Sequence, residues 1–300
     1  MIGAAGGEAR AAGAERDMLD GKSLVLGIGA QRCGTTWLFN YLRTLEGAAH
    51  SAIKELHFFD SWLEPARFTR FDPWFVDLLA RGLTNGGVDA LDRPLVRDLL
   101  DRVRAIRYPR AYLELLDRRA DNGARAALDF TPSYSLLTEE SYRRMRAYFA
   151  DHDVAVKFVF VMRDPVDRYH SALRMQEREL KPRGIDFSAI DEFDRQLSEP
   201  HFHERTRYDW TIQRLLGVFP RSAVYFTFYE HLFDEAALKA VCDFTGLTYA
   251  PADGHPPRNV ALAAGELTQA QVDNALSTFE PVYRACRELF GDGLPTVWRA

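Results

Sequence analysis

Residues 24–38 read Leu-Val-Leu-Gly-Ile-Gly-Ala-Gln-Arg-Cys-Gly-Thr-Thr-Trp-Leu. An apolar run that breaks at glycines and resumes in residues suited to a helix start predicts a buried strand, a tight turn and a helix. That arrangement presents backbone N–H groups to a phosphate. The spacing from Gly29 to Gly34 matches the opening of a Walker A loop, but Thr35 and Thr36 follow it. A P-loop kinase or NTPase needs Lys and Ser/Thr there, to reach the β/γ-phosphates and to hold Mg²⁺. Here the cation comes earlier, as Arg32 inside the turn. The turn therefore suits a nucleotide with a 5′-phosphate and no γ-phosphate to reach.

A second junction of the same kind lies at residues 155–174, Ala-Val-Lys-Phe-Val-Phe-Val-Met-Arg-Asp-Pro-Val-Asp-Arg-Tyr-His-Ser-Ala-Leu-Arg. The apolar run from Val154 to Met162 predicts a central parallel strand, and Pro165 opens a helix where its missing N–H costs little. Arg163 then sits at the strand's carboxyl end, the edge where ligands bind in α/β sheets. Ser171, eight residues on, is one to two helical turns away, so guanidinium and hydroxyl can converge on one anion. Either junction alone is weak evidence. The two in this order, each joining a strand to a helix, are specific.

These segments resemble the sulfotransferases that use 3′-phosphoadenosine-5′-phosphosulfate (PAPS), whose donor loop has the form Gly-x-x-Lys-x-Gly-Thr-Thr-x-Leu. Gly29, Gly34, Thr35, Thr36 and Leu38 fit it, and Arg32 stands at the lysine. The resemblance spans roughly residues 24–290. It implies a P-loop-like three-layer α/β fold, with a central mainly parallel sheet flanked by helices. It further implies that Arg32, with the loop N–H groups of Cys33, Gly34, Thr35, Thr36 and Trp37, holds the 5′-phosphosulfate. Arg163 and Ser171 match the pair that holds the 3′-phosphate. Arg258, in the loop after Gly254-His-Pro-Pro, sits where many members add another cation.

Residues 51–60, Ser-Ala-Ile-Lys-Glu-Leu-His-Phe-Phe-Asp, resemble a stretch of the glycosaminoglycan-modifying sulfotransferases and their bacterial relatives. There the glutamate at Glu55 is the general base and the lysine at Lys54 lies near the transferred group. The chemistry supports this independently: an alcohol attacking sulfur must lose a proton, and a nearby cation stabilises charge on the bridging oxygen. His57 is the rival base. Residues 129–134, Asp-Phe-Thr-Pro-Ser-Tyr, resemble the acceptor-lining motif of the same enzymes, which places Phe130, Thr131 and Tyr134 with Glu55 and His57 on the acceptor side. Phe130 replaces a family lysine, so a neutral or amphipathic acceptor is expected. Leu128-Asp129 as a Walker B carboxylate finds no support without the Walker A lysine.

The chain has 300 residues, 47% of them hydrophobic, and a net charge of −5. It is long enough for one main domain with a sizeable core, and its charge argues against a general nucleic-acid or anionic-membrane binder. We read residues 1–20 as a flexible tail and 21–300 as a single domain, with an insertion around 61–125 that shapes the acceptor pocket. That insertion carries a Gly-rich turn at Thr84-Asn-Gly-Gly. No run approaches the roughly 20 apolar residues of a membrane span. Cys33, Cys242 and Cys286 form neither a disulfide framework nor a metal-spaced cluster, which fits a cytoplasmic protein, and no metal is implied. Tyr208 to Phe219 carries a helical apolar stripe, residues 223–232 read as a late strand, and Leu267 to Leu289 as a helical region interrupted near Pro281, with Phe279, Val282, Cys286 and Leu289 facing the core.

The expected reaction is transfer of a sulfo group from PAPS to a hydroxyl, ahead of an amine, of a carbohydrate, lipid or small-molecule acceptor, releasing adenosine 3′,5′-bisphosphate. A P-loop kinase or nucleotide phosphotransferase, and a non-catalytic nucleotide-binding protein, are the alternatives. Oligomeric state is left open.

Overall fold

The computed structural model describes residues 18–120, 123–252 and 267–299. In chain order its elements are β1 (Ser23–Gly29), α1 (Thr35–Leu42), β2 (Ala48–His50), α2 (Phe58–Leu63), α3 (Phe71–Gly86), α4 (Pro94–Arg107), α5 (Arg110–Arg119), β3 (Ala126–Phe130), α6 (Glu139–Asp151), β4 (Ala155–Met162), α7 (Pro165–Leu180), α8 (Phe193–Gln196), α9 (Pro200–His203), α10 (Tyr208–Leu216), β5 (Val224–Phe228), α11 (Glu235–Thr245) and α12 (Gln269–Phe290). The strands form one five-stranded sheet in the order β2-β3-β1-β4-β5, and every pairing is parallel. Helices flank it.

The apolar run at Leu24–Ile28 is buried because β1 is the middle strand, with Val25 in register with Leu128 of β3 on one side and Lys157 of β4 on the other. A parallel sheet covered on both faces requires such continuous apolar strands. Gly27 is needed for a lateral reason: a Cβ there would lie 2.2 Å from the Phe130 ring. The chain leaves β1 toward β2 and β3, then crosses to β4 and β5 on the other side. The carboxyl end of β1 is therefore a topological switch point, where open α/β sheets form their ligand crevice.

The junction after β4 is built as its residues predict. The Asp164 carboxylate caps α7 by accepting from the N–H groups of Val166 and Asp167, both at 3.1 Å, and Pro165 occupies the first turn. The same carboxylate accepts from the Tyr283 hydroxyl at 2.9 Å and the Arg299 N–H at 3.0 Å, which ties α12 and the C-terminal segment to this junction.

Several details differ from the sequence reading. Helix α12 runs without a break through Pro281, and Leu289 is exposed while Phe279, Val282 and Cys286 are buried. The pattern Phe279, Val282, Cys286 is a continuous helical stripe, so packing of this face overrides the one hydrogen bond that proline forgoes. Thr84 to Gly86 complete α3, and the turn is made by Gly87 alone at φ +57°. Met18 and Leu19, read as part of the tail, are buried, and the Leu19 N–H donates to Asp117 at 3.0 Å. Among the described residues, no helix is long and apolar enough to cross a membrane.

Candidate active site

A cavity of about 510 Å³ opens at the carboxyl end of the sheet. Gln31, Arg32, Thr35 and Thr36 line it from the loop and first turn after β1, Glu55 and His57 from the segment before α2, and Pro132 and Ser133 from the turn after β3. Met175 of α7, Arg70, Phe71 and Trp74 at the start of α3, and Arg205 complete the wall.

The loop after β1 is an anion cradle by construction. Helix α1 has no acidic residue in its first turn and no side chain capping its N-terminus, so its first N–H groups are left for a ligand. Gly34 has φ +82°, and a Cβ there would lie 2.7 Å from Leu232, so both its conformation and its space require glycine. Arg32 adopts φ +73°, a left-handed backbone that non-glycine residues rarely take outside functional turns. One of the expected donor contacts, that of Cys33, is taken up within the loop. The Cys33 N–H is committed to the Ala30 carbonyl at 3.3 Å, and its thiol, pushed up to about 11 by burial, packs against the Tyr208 hydroxyl as a space-filling group. The Trp37 ring packs on Tyr41 and Phe233, outside the cavity wall.

The residues expected at the two ends of the donor meet in one basic cluster. Arg32 Nε donates to Ser171 Oγ at 3.2 Å and Nη1 lies 3.4 Å from Met175 Sδ. Burial, and then the charges of Arg178, Arg163 and Arg174, lower the Arg32 pKa. The Arg163 guanidinium lies over the Tyr229 ring at 4.7 Å and 3.9 Å from Asp167, whose carboxylate already meets Arg299 at 2.7 Å. Arg258 lies outside the described residues. A brace that the sequence did not signal is Arg168, fully buried on α7. Its Nε donates to the Gln31 carbonyl at 3.1 Å, and its Nη1 to the Phe202 carbonyl at 2.9 Å and to Thr206 Oγ1 at 2.8 Å.

Across the cavity Glu55, His57, Asp60 and Ser133 form a chain. His57 Nδ1 bonds Asp60 at 2.7 Å and its Nε2 lies 3.5 Å from Glu55, while Ser133 Oγ donates to Asp60 at 2.6 Å. Burial disfavours a charged imidazole, but Asp60 and Glu55 outweigh it and raise the His57 pKa. Burial likewise pushes the Glu55 carboxyl up, yet His57 and the Lys54 ammonium prevail and hold it at about 2. His57, at φ +47°, is pinned from behind: Arg102 donates to the carbonyls of Leu56 and His57 and to Ser61, and pairs with Asp72 at 3.0 Å. The buried Asp98 holds the Ala52 N–H at 2.7 Å and Arg119 at 2.8 Å, fixing the start of the same segment.

The acceptor-side motif is placed differently from expectation. Phe130 is fully buried between Gly27 and Phe39, because every residue of β3 is interior, so its ring does not face the acceptor. Thr131 and Tyr134 are also buried. Both donate to Asp129, at 2.7 and 2.9 Å, and they accept from the N–H groups of His57 and Phe58, at 3.4 and 3.0 Å. They hold the segment that carries Glu55 and His57, and the neighbouring Pro132 and Ser133 line the cavity in their place.

The sulfotransferase domain family matches this chain over residues 22–264. The chain belongs to the sulfotransferase family. Among solved structures, this sulfotransferase is similar to a sulfotransferase from Alicyclobacillus acidocaldarius, at 22% identity and TM-score 0.58, with 89% of this chain and 95% of that one covered. It is also similar to the sulfotransferase domain from the curacin biosynthetic pathway, at 15% identity and TM-score 0.51, with 90% and 97% covered. At such identities the likeness is one of fold. No curated protein sequence matches the chain.

The carboxylates around His57 yield a prediction for this sulfotransferase. The imidazole should titrate above its ordinary 6.5, and Asp60→Asn should bring the midpoint down, as followed by NMR of the ring protons. A raised pKa adds stability that is complete below the unfolded value and is lost as pH rises through the folded one. The melting temperature of the unmodified protein should therefore fall through that window, and that of the variant should fall less. An unmoved midpoint in Asp60→Asn would show that Asp60 is not the cause.

Proposed function

We propose that this sulfotransferase moves the sulfo group of PAPS onto an acceptor hydroxyl, ahead of an amine, and releases adenosine 3′,5′-bisphosphate. The observation that carries the reading is that one cavity is lined both by the uncapped α1 turn and Arg32, which Ser171 holds, and by Glu55 and His57, which Asp60 holds. The N–H groups at the start of α1, with Arg32, Thr35 and Thr36, suit a phosphosulfate. Arg163, whose neighbour Asp167 is shared with Arg299, suits the 3′-phosphate together with Ser171. No lysine follows Gly34, so the loop lacks the group a γ-phosphate needs.

On the acceptor side Glu55 accepts the hydroxyl proton as the oxygen bonds to sulfur. Asp60 and Glu55 raise the His57 pKa and so favour its charged form, in which it orients Glu55 and has no lone pair to take that proton. Lys54, bonded to Glu55 at 2.5 Å, is the cation that can turn toward the departing bridging oxygen, and in doing so it restores basicity to the carboxylate. We place the reaction in the cytoplasm, since all three cysteines are free and buried.

Binding tests the donor. Adenosine 3′,5′-bisphosphate should bind and stabilise the protein without added metal, and ATP with Mg²⁺ should not; the reverse order would favour a kinase. Arg163→Ala should weaken adenosine 3′,5′-bisphosphate by about 1.5–3 kcal/mol, the range of a charge-assisted hydrogen bond. Adenosine 5′-phosphosulfate, which has no 3′-phosphate, should be nearly unaffected. Equal losses for both ligands in calorimetry would remove Arg163 from the 3′-phosphate.

A further inference from the structure

Three arginines with buried guanidinium nitrogens surround this cavity, and two of them are accounted for. Arg102 and Arg168 donate to backbone carbonyls and side-chain oxygens that hold the base segment and the phosphate loop, and Arg102, although its Nη1 is also buried without a partner, pairs with Asp72. Arg205 differs. It lines the cavity, its Nε is buried without a hydrogen-bond partner, and among the described residues no carboxylate lies within ion-pair distance of it. Burial, with Arg168, Arg70 and Arg67 nearby, lowers its pKa to about 10, against a smaller opposing pull from Asp60. A guanidinium kept from water beside like charges is costly to hold and is relieved by an anion.

Arg70 stands with it on the same wall. It is exposed, pairs with no carboxylate among the described residues, and rests over the Phe71 ring at 4.9 Å. Its neighbour Arg67 is already engaged by Glu64 and Glu204 and is not available in the same way. Arg70, Phe71 and Arg205 also line a second cavity of about 280 Å³, so they form the partition between two adjoining spaces. The position relative to the chemistry is set by Phe71, whose ring stacks on the His57 imidazole at 3.5 Å between centroids. Trp74, 49% exposed, continues the aromatic surface. Gln31, Arg32, Thr35 and Thr36 line the same cavity.

We propose that Arg70 and Arg205 form an anion subsite for the acceptor, so that the acceptor is a hydroxy compound carrying a carboxylate or sulfate on an apolar body that lies against Phe71 and Trp74. The proposal rests on the sulfo-transfer reading for its reacting hydroxyl. It narrows the expectation of a neutral or amphipathic acceptor to an amphipathic one with an anionic group, and it does not depend on Phe130, which is buried away from the cavity. Two guanidinium groups can take a carboxylate or sulfate oxyanion in paired hydrogen bonds, and the aromatic surface can take the apolar remainder.

The test uses naphthol and the hydroxynaphthoate that differs from it by one carboxylate, titrated by calorimetry with and without adenosine 3′,5′-bisphosphate. The hydroxynaphthoate should bind about ten- to one-hundred-fold more tightly than naphthol. Arg205→Met and Arg70→Gln should each remove most of that preference while leaving adenosine 3′,5′-bisphosphate affinity unchanged. Arg70 is exposed, so its variant remains informative if Arg205→Met fails to fold. Equal binding of the two probes, or no binding of the carboxylate at millimolar concentration, would overturn the subsite and leave the donor reading standing. Loss of adenosine 3′,5′-bisphosphate affinity in both variants would assign the arginines to the donor and overturn it too. Failure of the unmodified protein to bind that nucleotide would sink the sulfo-transfer reading, and the probes titrated alone would still decide the subsite.

Discussion

Glu55→Gln is expected to lower kcat by about 10²–10⁴-fold, the range for losing a general base, with donor affinity nearly unchanged. Glutamine keeps the length and planarity of the side chain and removes its proton-accepting charge, and with it the ion pair to Lys54. Lys54 and His57 hold the carboxyl at about 2 in the ligand-free site, and a group so acidic is a weak base. Catalysis by Glu55 thus requires that one of its partners leave it, and Lys54 is the one with another oxygen to serve. Lys54→Met should accordingly act in two opposed ways, raising the Glu55 pKa and removing stabilisation of the leaving oxygen. Its kcat should fall less than that of Glu55→Gln. The pH profile of kcat/KM adds a check, since Glu55, held well below the ordinary carboxylate range in the free protein by His57 and Lys54, should give no acid limb near neutrality. If His57→Asn is inactive while Glu55→Gln keeps most of its turnover, the proton goes to the imidazole and the assignment is wrong.

The parts of this site legible in the sequence are those where local chemistry and function coincide. The strand–turn–helix at residues 24–38 shows itself because an apolar run, a left-handed glycine and an uncapped helix start are all local signals, and the Asp164-Pro165 helix start is another. Glu55 and His57 fall in the cavity as their motif suggests. Phe130 shows the limit of such reading. A strand edge motif says which residues follow one another, but which of them faces the cavity depends on the neighbouring strand, where Gly27 leaves room for a phenyl ring. Strand β2 has only the three residues Ala48–His50 and no β-branched side chain, so nothing in its composition announces it. Arg70, Arg168 and Arg205 belong to no recognisable pattern. They are brought to the site by packing of α3, α7 and the turn after α9, and an arginine's role as brace or ligand group is decided by whether a carbonyl meets it.

Arg32→Ala is expected to reduce kcat by about 10²–10³-fold, the usual effect of deleting one donor aimed at charge that develops in a transition state. The side chain enters the cavity from a left-handed backbone at φ +73° and is steered by its bond to Ser171, so its guanidinium is already oriented before any ligand arrives. Preorganisation of this kind matters most when negative charge grows on the bridging and sulfo oxygens as the sulfur–oxygen bond breaks. Burial, and then nearby Arg178, Arg163 and Arg174, lower its pKa, so the Arg32 guanidinium stands out of water in an excess of like charge. An incoming phosphosulfate relieves that excess. The alanine variant should therefore lose kcat more than it loses affinity for adenosine 3′,5′-bisphosphate, which has no sulfo group. Arg32→Lys discriminates charge from geometry: an ammonium restores the charge without the planar fork, so partial recovery is expected, limited by the lost Nε bond to Ser171. Steady-state kinetics with the donor varied, beside calorimetry with the bisphosphate, separates the outcomes. A variant with normal kcat and only a raised KM for the donor would show that Arg32 binds ground and transition states equally, and the catalytic role would pass to Lys54.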